Sequence, residues 1–429
     1  MQIHIVQEGD SVYSIARLYD STPNDIIEAN ELETPGKLVI GQALVVPIVG
    51  QYYFVQPGDR LNTIAEQFNT TADRLAAVNG LNTDSTLAVG LRLYIPDQPP
   101  TPITSNAYIE PYGGTVSDTL RQSAESRAVN LTYLAPFSYE IQEDGTLKAP
   151  PLDNFKEIAR KNDAVLMMVV TNLADDGFSA ELGRKILSDE ALQDKLLDEI
   201  IQITKQVGFK DVHFDMEFLP PDMKESYNQF LRKAKQRLSK EGLLISTALA
   251  PKTSADQKGA WYEAHDYQAH GEIVDFVVLM TYEWGYSGGP PRAVSPIGPV
   301  TDVVNYALSE MPAQKILLGQ NLYGYDWTLP YEPGGEFAKA LSPQQAIQTA
   351  RKNNVAISYD QKEQAPYFTY TDGEGKKHEV WFEDARSIQK KFDLIKEKNL
   401  LGISYWKLGL SFPQNWVLLS NQFSVKKNP

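Results

Sequence analysis

Cysteine is missing from the 429-residue sequence. This absence excludes disulfide bonds, thiolate metal ligands and a cysteine nucleophile, although it does not identify a compartment. Histidine is scarce, and none of the five histidines has the spacing of a metal-binding motif such as HExxH. We therefore expect no metal and no other cofactor. The five are His4, His213, His265, His270 and His378.

Long hydrophobic runs and an excess of positive charge are also missing. The longest apolar runs, such as residues 164–170, are far too short to cross a bilayer. The first residues, MQIHIVQEGD, contain neither a basic region nor an apolar core, so no ordinary secretory signal is predicted. The formal net charge of −15 at pH 7 argues against nucleic acid or an anionic membrane as a partner. We expect a monomer without membrane insertion.

The N-terminal part of the chain contains an internal repeat. Residues 6–47 recur as residues 55–96 at a constant offset of 49, and VQEGDSVYSIA aligns with VQPGDRLNTIA. Each copy has the pattern of a short strand, a Gly-Asp turn, two short helices and a closing strand, with Thr22 or Thr71 as the cap of the second helix. The sequence therefore predicts two βααβ modules, residues 2–48 and residues 51–97.

The repeats resemble LysM modules over essentially their whole length. This resemblance implies binding to the N-acetylglucosamine backbone of peptidoglycan or chitin. It places the glycan contacts on the loop between strand and helix and near the end of the second helix. An alternative interpretation is that the Gly and Asp residues only form the turn and cap the helix. The implied binding residues are Gly9, Asp10, Ser11, Val12 and Asn30 in the first copy, and Gly58, Asp59, Arg60, Leu61 and Asn79 in the second.

The rest of the chain alternates between strand and helix patterns. Residues 98–106 are Pro-rich and polar, which predicts a linker. Eight strands with crossover helices then predict an α/β fold, a TIM (β/α)8 barrel over residues 107–429. Residues 335–382 contain a helix and several β-like pieces, so we predict a small α+β insertion on the upper face of the barrel. The eight predicted strands are residues 107–110, 131–138, 164–172, 212–217, 244–251, 274–282, 316–323 and 402–406.

The fourth predicted strand carries four ionisable residues in the sequence DVHFDME. Its period-two alternation places Asp211, His213, Asp215 and Glu217 on one face and three apolar residues on the other. In a barrel the apolar face packs against the helices, so the ionisable face points into the lumen. Burying unpaired charge is costly, and Glu217 lies at the carboxyl end, where barrel active sites occur. The alternative is a buried salt-bridge network that holds the barrel together.

Two of these carboxylic acids have the spacing of a catalytic pair. Asp215 and Glu217 are alternate residues, so their Cα atoms lie ~6.5–7 Å apart with parallel side chains. Two carboxyl groups this close resist joint ionisation, which favours a protonated Glu217 that can act as an acid. Both approach a bound sugar from the same side, whereas a protein nucleophile would have to lie on the opposite side. The arrangement favours a reaction in which the substrate supplies the nucleophile.

This strand resembles the DxxDxDxE motif of glycoside hydrolase family 18, the chitinase-type barrels with substrate-assisted hydrolysis. The resemblance implies that Glu217 protonates the leaving oxygen and later acts as the base. It also implies that the substrate acetamide attacks the anomeric carbon while Asp215 orients and stabilises it. There are two departures: His213 replaces the middle Asp of the motif, and Lys210 occupies the first Asp position, with Asp211 one residue later. His213 could be the partner beneath Asp215, or a hydrogen-bonded core histidine without a role in pH response.

Two further strands support this resemblance. The segment VVLMTYEW resembles the M-x-Y-D motif of the family, with Met280 and Tyr282 on one face and Glu283 in place of the Asp. By resemblance, Tyr282 is catalytic and donates its hydroxyl to the acetamide oxygen, where charge develops. Trp406, in GISYWKLG, is implied to form the floor of the site. The candidate substrate-binding residues are Trp406, Met280, Asn321, Tyr323 and His213.

The combination of tandem LysM-like repeats and this barrel resembles the SleL/YaaH type of spore cortex-lytic N-acetylglucosaminidase over nearly the full chain. Residues 265–300 and the motif WFEDARS, residues 381–387, carry much of the match. This implies cleavage of N-acetylglucosamine linkages in spore cortex peptidoglycan, particularly in fragments with muramic-δ-lactam, during germination. It also implies a location in the coat or cortex region of the spore. The alternatives are a general peptidoglycan or chitin hydrolase and a non-catalytic LysM coat protein, although Asp215, Glu217 and Tyr282 together argue against the latter.

Overall fold

The computed structural model of the protein describes residues 1–112, 114–175 and 177–427. The N-terminal repeat forms two βααβ modules, as predicted. In each module the two strands pair antiparallel, with Gln2 opposite Val46 and Gln51 opposite Ile95. The elements of the first module are Gln2–Ile5, Val12–Leu18, Pro23–Ala29 and Ala43–Val46, and those of the second are Gln51–Phe54, Leu61–Gln67, Ala72–Val78 and Arg92–Ile95.

The module helices begin where the caps predict. The side chain of Thr22 accepts a hydrogen bond from the backbone of Asp25, and that of Thr71 accepts one from Arg74. Each helix has only seven residues, a length at which an isolated helix is unstable in water. Packing of the apolar helix faces on the two strands therefore stabilises each module, and Ile15 is fully buried in the first.

Eight parallel strands, labelled β1 to β8 in chain order, close into a barrel. Each of the eight strands pairs with two others, and β8 pairs with β1, which closes the barrel. Strand β4 lies between β3 and β5, with Asp211 between Met167 and Leu244. The predicted barrel is confirmed. The strands are Thr101–Ile109, Tyr133–Pro136, Val165–Thr171, Asp211–Asp215, Leu244–Leu249, Phe276–Leu279, Ile316–Asn321 and Gly402–Trp406.

Amphipathic helices surround the strands, and most of the apolar core lies between the two layers. No helix of the described residues is both long and apolar enough to cross a membrane. The helices of the barrel are Asp118–Arg127, Phe155–Lys161, Ala180–Ser188, Glu190–Val207, Lys224–Leu238, Tyr267–Ile273, Ile297–Glu310, Ala385–Glu397 and Pro413–Gln422. The short 3₁₀ helices are Ala128–Asn130, Pro221–Met223, Ser239–Glu241 and Ala313–Lys315, and the short accessory strands are Tyr139–Ile141, Leu147–Lys148, Leu173–Ala174, Gly177–Phe178 and Phe423–Val425.

A small α+β unit lies between β7 and β8. It consists of a five-stranded antiparallel sheet and the helix Pro343–Lys352. The unit begins at Gly324 rather than at residue 335, because the strand that follows β7 pairs with Lys377–Trp381 inside the unit. In spatial order its strands are Lys339–Leu341, Gly324–Leu329, Lys377–Trp381, Ala365–Thr371 and Ser358–Asp360.

The predicted linker also differs from the structure. Strand β1 already begins at Thr101, within the segment 98–106, because the short strand Phe423–Val425 pairs with residues 101–103. The Pro-rich composition suggested a linker, but Pro102 is tolerated since it lies at the start of a strand. Residues 428 and 429 of the predicted barrel domain lie outside the described residues.

Candidate active site

Strand β4 presents two chemically different faces, as its alternation predicts. The apolar residues Val212, Phe214 and Met216 belong to the core between strands and helices, where Phe214 packs edge-on against Phe230. The opposite face points into the barrel lumen and is buried as well. A lumen lined with ionisable groups is costly for stability, which indicates a functional site. The buried ionisable residues of this segment are Asp211, His213, Asp215 and Glu217.

Glu217 lies two residues beyond the end of β4 and is fixed by the neighbouring strand. Its backbone N–H donates to Oδ1 of Asn172 at 2.9 Å, and Nδ2 of Asn172 donates to the carbonyl of Glu217 at 2.9 Å. Asn172 directly follows β3 and also donates to the carbonyl of Ser179. Asn172 was not among the site residues predicted from the sequence. Its position at the carboxyl end of a barrel strand is the signal that could have identified it.

Burial raises the pKa values of both candidate catalytic carboxyl groups. It raises the pKa of Asp215 to about 7. The pKa of Glu217 lies well above its usual range, because burial and the nearby charge of Asp215 both disfavour its ionised form. The two groups therefore share a proton near neutral pH, and Glu217 holds it more tightly. A general acid needs this protonation state.

A tryptophan from the loop after β5 contacts the candidate acid. Nε1 of Trp261 donates a hydrogen bond to Oε2 of Glu217, which partly opposes the rise in the pKa of Glu217. The ring of Phe218 lies nearly parallel to that of Trp261, with centroids 6.3 Å apart and 14° between the planes. The two rings form an aromatic wall beside the acid. Trp261 was not predicted from the sequence, because a loop residue belongs to no periodic pattern.

His213 takes part in a buried chain of hydrogen bonds. Its Nε2 lies 2.8 Å from Oη of Tyr108, and its Nδ1 lies 2.8 Å from Oγ of Ser246. Because the Ser246 hydroxyl donates to Oδ1 of Asp211 at 2.6 Å, the His213 Nδ1–H donates to Ser246 and Nε2 accepts from Tyr108. Burial lowers the pKa of His213 to about 3, so the ring is neutral. Within the described residues it makes no hydrogen bond to Asp215, which favours the interpretation as a core histidine.

Asp211, at the other end of this chain of hydrogen bonds, predicts how the stability of the protein depends on pH. Burial raises the pKa of Asp211 to about 7 from an ordinary 3.8, so its contribution to stability is present in full below 3.8 and is lost as the pH rises through 7. We expect Asp211→Asn to remove this dependence. Raising the pH from 5 to 8 should lower the free energy of unfolding of the wild type. In the variant this decrease should be smaller by up to about 3 kcal/mol. Urea unfolding at both pH values measures the difference, and equal losses would contradict the assignment.

Tyr282 and Met280 follow β6 and line the lumen next to Trp406. Gly319 of β7 makes room for this arrangement, because a Cβ atom there would lie 2.2 Å from the carbonyl oxygen of Leu279 and 3.1 Å from the Tyr282 ring. Burial raises the pKa of Tyr282 well above its usual range, which keeps the hydroxyl protonated. Within the described residues this hydroxyl has no hydrogen-bond partner in the chain, so it is available to a ligand.

Trp406 ends β8 and forms an aromatic floor. Its ring packs edge-on against Phe137 and Tyr108, with centroids 4.8 Å and 5.4 Å away. The side chain belongs both to the apolar cluster low in the lumen and to the cluster around Tyr282, and it is half-buried. The predicted floor position is therefore consistent with its surroundings, although its contact with a sugar stays a prediction.

Asn321 and Tyr323 use their polar groups within the chain. The side chain of Asn321 is fully buried, donates to the carbonyl of Tyr323 at 2.7 Å and accepts from Gln320 at 3.0 Å. The hydroxyl of Tyr323 donates to the carboxylate of Glu283, and Tyr325 donates to the same carboxylate at 3.0 Å. These contacts brace the segment after β6. They give both residues a positioning role, and their contact with substrate stays a prediction.

The structure gives most of the candidate glycan-binding residues of the modules a structural partner. Asp10 accepts from the backbone of Gln7 at 2.7 Å, as Asp59 does from Gln56, so both shape the turn. These contacts agree with the alternative interpretation, and glycan contact by the two residues stays a prediction. Five further candidates also have structural partners: Ser11 caps a helix, Val12 and Leu61 fill the module cores, and Asn30 and Asn79 tie the second helix to the last strand. The side chain of Arg60 is exposed and makes no capping hydrogen bond.

Gly9 and Gly58 lie beside open space. Both have a positive φ, +84° and +89°, and no atom lies within 4 Å of a Cβ built on either residue. The surface above both turns is therefore open. Glycine is required there by the backbone conformation, while the open space beside it leaves room for a ligand.

Comparison with known proteins agrees with this geometry. Residues 107–410 match the family described as glycosyl hydrolases family 18, and residues 4–47 and 53–96 match the LysM domain. The chain belongs to glycosyl hydrolases family 18. It is a glycosidase, and the predicted class of enzyme and the predicted LysM modules are confirmed.

Several relatives extend over the whole chain. The chain is 65% identical to a cortical fragment-lytic enzyme of Bacillus subtilis (strain 168), with 100% of this chain and 99% of that protein covered. It is similar to the crystal structure of the spore cortex-lytic enzyme SleL of Bacillus megaterium QM B1551, with a TM-score of 0.90 and 52% identity over 100% of this chain and 99% of that one. SleL of Bacillus cereus gives a TM-score of 0.93 at 49% identity, with the same coverage.

Proposed function

We propose that the chain cleaves N-acetylglucosamine linkages in spore cortex peptidoglycan or its fragments during germination, by a retaining, substrate-assisted mechanism. The observation that carries this proposal is the buried pair Asp215 and Glu217 at one end of β4. Of the two carboxyl groups, that of Glu217 binds the shared proton more tightly. Both groups approach the lumen from the same strand. The acid and the group that stabilises the acetamide therefore lie on the same side of a bound sugar.

Each step of the proposed hydrolysis is assigned to a residue in a suitable environment. Protonated Glu217 gives its proton to the glycosidic oxygen as the bond to the anomeric carbon breaks. The carbonyl oxygen of the substrate acetamide attacks that carbon, and Asp215 balances the positive charge of the oxazolinium ring. The free hydroxyl of Tyr282 donates to the acetamide. Water then opens the ring, with Glu217 as the base, so that two inversions return the original anomer.

Similarity to enzymes of spores supports the choice of substrate. The Bacillus subtilis relative is a cortical fragment-lytic enzyme, and the two SleL structures are spore cortex-lytic enzymes. The tandem LysM modules suit a substrate of repeating N-acetylglucosamine units, for which two tethered sites give avidity. We further propose that the protein acts as a monomer in the coat or cortex region of the spore, and that fragments with muramic-δ-lactam are its preferred substrates.

Product analysis tests the proposed substrate against a general peptidoglycan or chitin hydrolase. The purified chain is incubated with cortex fragments, with vegetative peptidoglycan fragments and with chitin oligomers, and the products are identified by mass spectrometry. We expect new reducing ends at N-acetylglucosamine in the cortex fragments, at a rate at least about tenfold above that on chitin oligomers, which is a difference of about 1.4 kcal/mol in transition-state stabilisation. Equal rates on all substrates would favour the general hydrolase, and an inactive enzyme would favour a binding protein.

A further inference from the structure

The first module is packed into the barrel instead of being tethered to it. Ala43 and Val45, on its last strand, belong to the main apolar core of the barrel and are almost fully buried. Val39, in the loop before that strand, belongs to the core of the α+β unit together with Ile347 and Phe368. Apolar contacts of this kind make the first module part of two hydrophobic cores outside itself.

Hydrogen bonds hold the loop of this module that follows its second helix. Arg386 donates to the carbonyl of Gly41 at 3.1 Å, and the backbone N–H of Ile357 donates to the carbonyl of Ile40 at 2.9 Å. At the beginning of the loop, Gln344 donates to the carbonyl of Asn30 at 2.7 Å. All three donors lie in or next to the α+β unit, so the whole loop is fixed at both ends.

The motif WFEDARS supplies the central residue of this contact. The guanidinium of Arg386 is oriented by two hydrogen bonds from its Nε and Nη2 to Asp384, at 2.9 Å and 2.6 Å, and lies 4.2 Å from the ring centroid of Tyr359. An arginine held in this way loses little side-chain entropy when it binds Gly41. Docking of the module therefore accounts for two residues of the motif, Asp384 and Arg386.

The second module has different residues at the equivalent positions, 49 residues later. Val39, Gly41 and Ala43 of the first module are within the contact, whereas Ala88 and Arg92 of the second are exposed. The equivalent glycines show the contrast directly: a Cβ on Gly41 would lie 1.8 Å from the carbonyl oxygen of Ile357, but nothing lies within 4 Å of a Cβ on Gly90. The φ values of Gly41 and Gly90 are nearly equal, +81° and +84°, so the surroundings of the two glycines differ and their backbone conformations do not. These distances define a matched pair of positions.

The second module packs on the first through the half-buried rings of Tyr52 and Phe54, which lie against the core of the first module, and through polar contacts. Arg92 donates to the carbonyl of Leu18 at 2.9 Å, pairs with Asp20 at 3.3 Å and covers the ring of Tyr52. A cavity of about 590 Å³ separates this module from the barrel helix Ala385–Glu397. Exposed ion pairs contribute little to stability. Among the described residues no hydrophobic cluster joins the second module to the barrel or to the α+β unit. The second module is therefore attached to the catalytic unit less firmly than the first, and its loop of residues 79–91 faces solvent.

We propose that the two repeats have different tasks: the first is a fixed structural part of the catalytic unit, and the second is the module that captures glycan. This inference rests on the proposed function, since it assigns the glycan binding of a LysM module to one of two copies. The physical reason is that the loop after the second helix, one of the two loops implied in glycan binding, is committed to the α+β unit in the first module. In the second module the same loop is free to contact a sugar chain.

Matched glycine variants test the structural half of the proposal. All six tryptophans lie between residues 261 and 416, so tryptophan fluorescence reports unfolding of the barrel with its α+β unit and contains no signal from the modules. Both Gly41→Ala and Gly90→Ala place Cβ in the same strained backbone conformation, but only the first meets the backbone of Ile357. We expect Gly41→Ala to lower the midpoint of barrel unfolding by several degrees and Gly90→Ala to leave it unchanged within about 1 °C. Equal shifts would overturn the proposal.

Gln344→Ala keeps this test decisive if Gly41→Ala does not fold. It removes one hydrogen bond to the first module without a steric clash, and we expect a smaller shift of the tryptophan midpoint in the same direction. The absence of any shift would show that the first module does not stabilise the barrel.

Hydrogen exchange locates the captured glycan in the full-length chain. The probe is a soluble N-acetylglucosamine pentamer, and Glu217→Gln prevents its hydrolysis. We expect slower amide exchange in residues 79–91 on addition of the pentamer and no change in the equivalent residues 30–42. Protection of residues 30–42 would overturn the division of tasks. Protection of neither segment would instead contradict the proposed glycan binding by the modules, while the glycine result would stand independently.

Discussion

Replacement of Glu217 by Gln is expected to abolish hydrolysis, with a rate at least ~10²–10⁴-fold below that of the wild type. Glutamine has the shape of glutamic acid but has no proton that it can give to the leaving oxygen. Its amide oxygen still accepts the hydrogen bond from Nε1 of Trp261, and the clamp by Asn172 involves only the backbone of residue 217. The variant should therefore fold and bind glycan normally, and the measurement is the initial rate of reducing-end formation from cortex fragments.

Asp211→Asn is the matched control for this experiment. Asp211 lies on the same strand and the same face, and it is also a buried acid with a raised pKa. Its partner is Ser246, in the hydrogen-bond chain that leads to His213, and it has no place in the proposed chemistry. We expect a rate within about twofold of the wild type, since loss of a remote charge moves the barrier by less than about 0.5 kcal/mol. A near-wild-type rate for Glu217→Gln, or an equal loss in both variants, would contradict the role of Glu217.

Periodicity and repetition predicted those parts of the protein in which local pattern decides the structure. The alternation of residues 211–217 identified the two faces of β4, because a strand inside a barrel has one face toward the helices and one toward the lumen. The offset of 49 identified both modules, since each copy forms its own small core. The glycine and aspartate residues of the modules were predicted as possible ligands, and the structure shows that Asp10 and Asp59 also shape the turns.

Contacts between distant segments were not predictable in this way. Trp261 reaches Glu217 from a loop 44 residues later, and Arg386 reaches Gly41 across 345 residues. Neither contact leaves a periodic pattern, because each joins a single side chain to a single partner. The start of β1 was predicted too late for a similar reason: residues 101–103 form a strand because of their pairing with Phe423–Val425 near the end of the chain.

Asp215→Asn should separate substrate-assisted hydrolysis from attack by a protein carboxylate. Asp215 is buried in the lumen, and its charge opposes the positive nitrogen of an oxazolinium ring. We expect the variant to lose about 10²–10³-fold in kcat, the typical effect of removing one group that stabilises developing charge. A thiazoline analogue of N-acetylglucosamine, which mimics the ring, should inhibit the wild type competitively and the variant much more weakly.

The same mechanism fixes the stereochemistry and the substrate requirement. Asp215 and Glu217 come from the same end of one strand, so neither can attack the anomeric carbon from the face opposite the acid. The substrate acetamide must therefore be the nucleophile, and substrates without the N-acetyl group should not be cleaved. Two successive inversions should give a product with the retained anomer, which NMR of the first turnover measures. An inverted anomer, or a covalent glycosyl-enzyme trapped on either carboxylate, would exclude this mechanism even for an active N-acetylglucosaminidase.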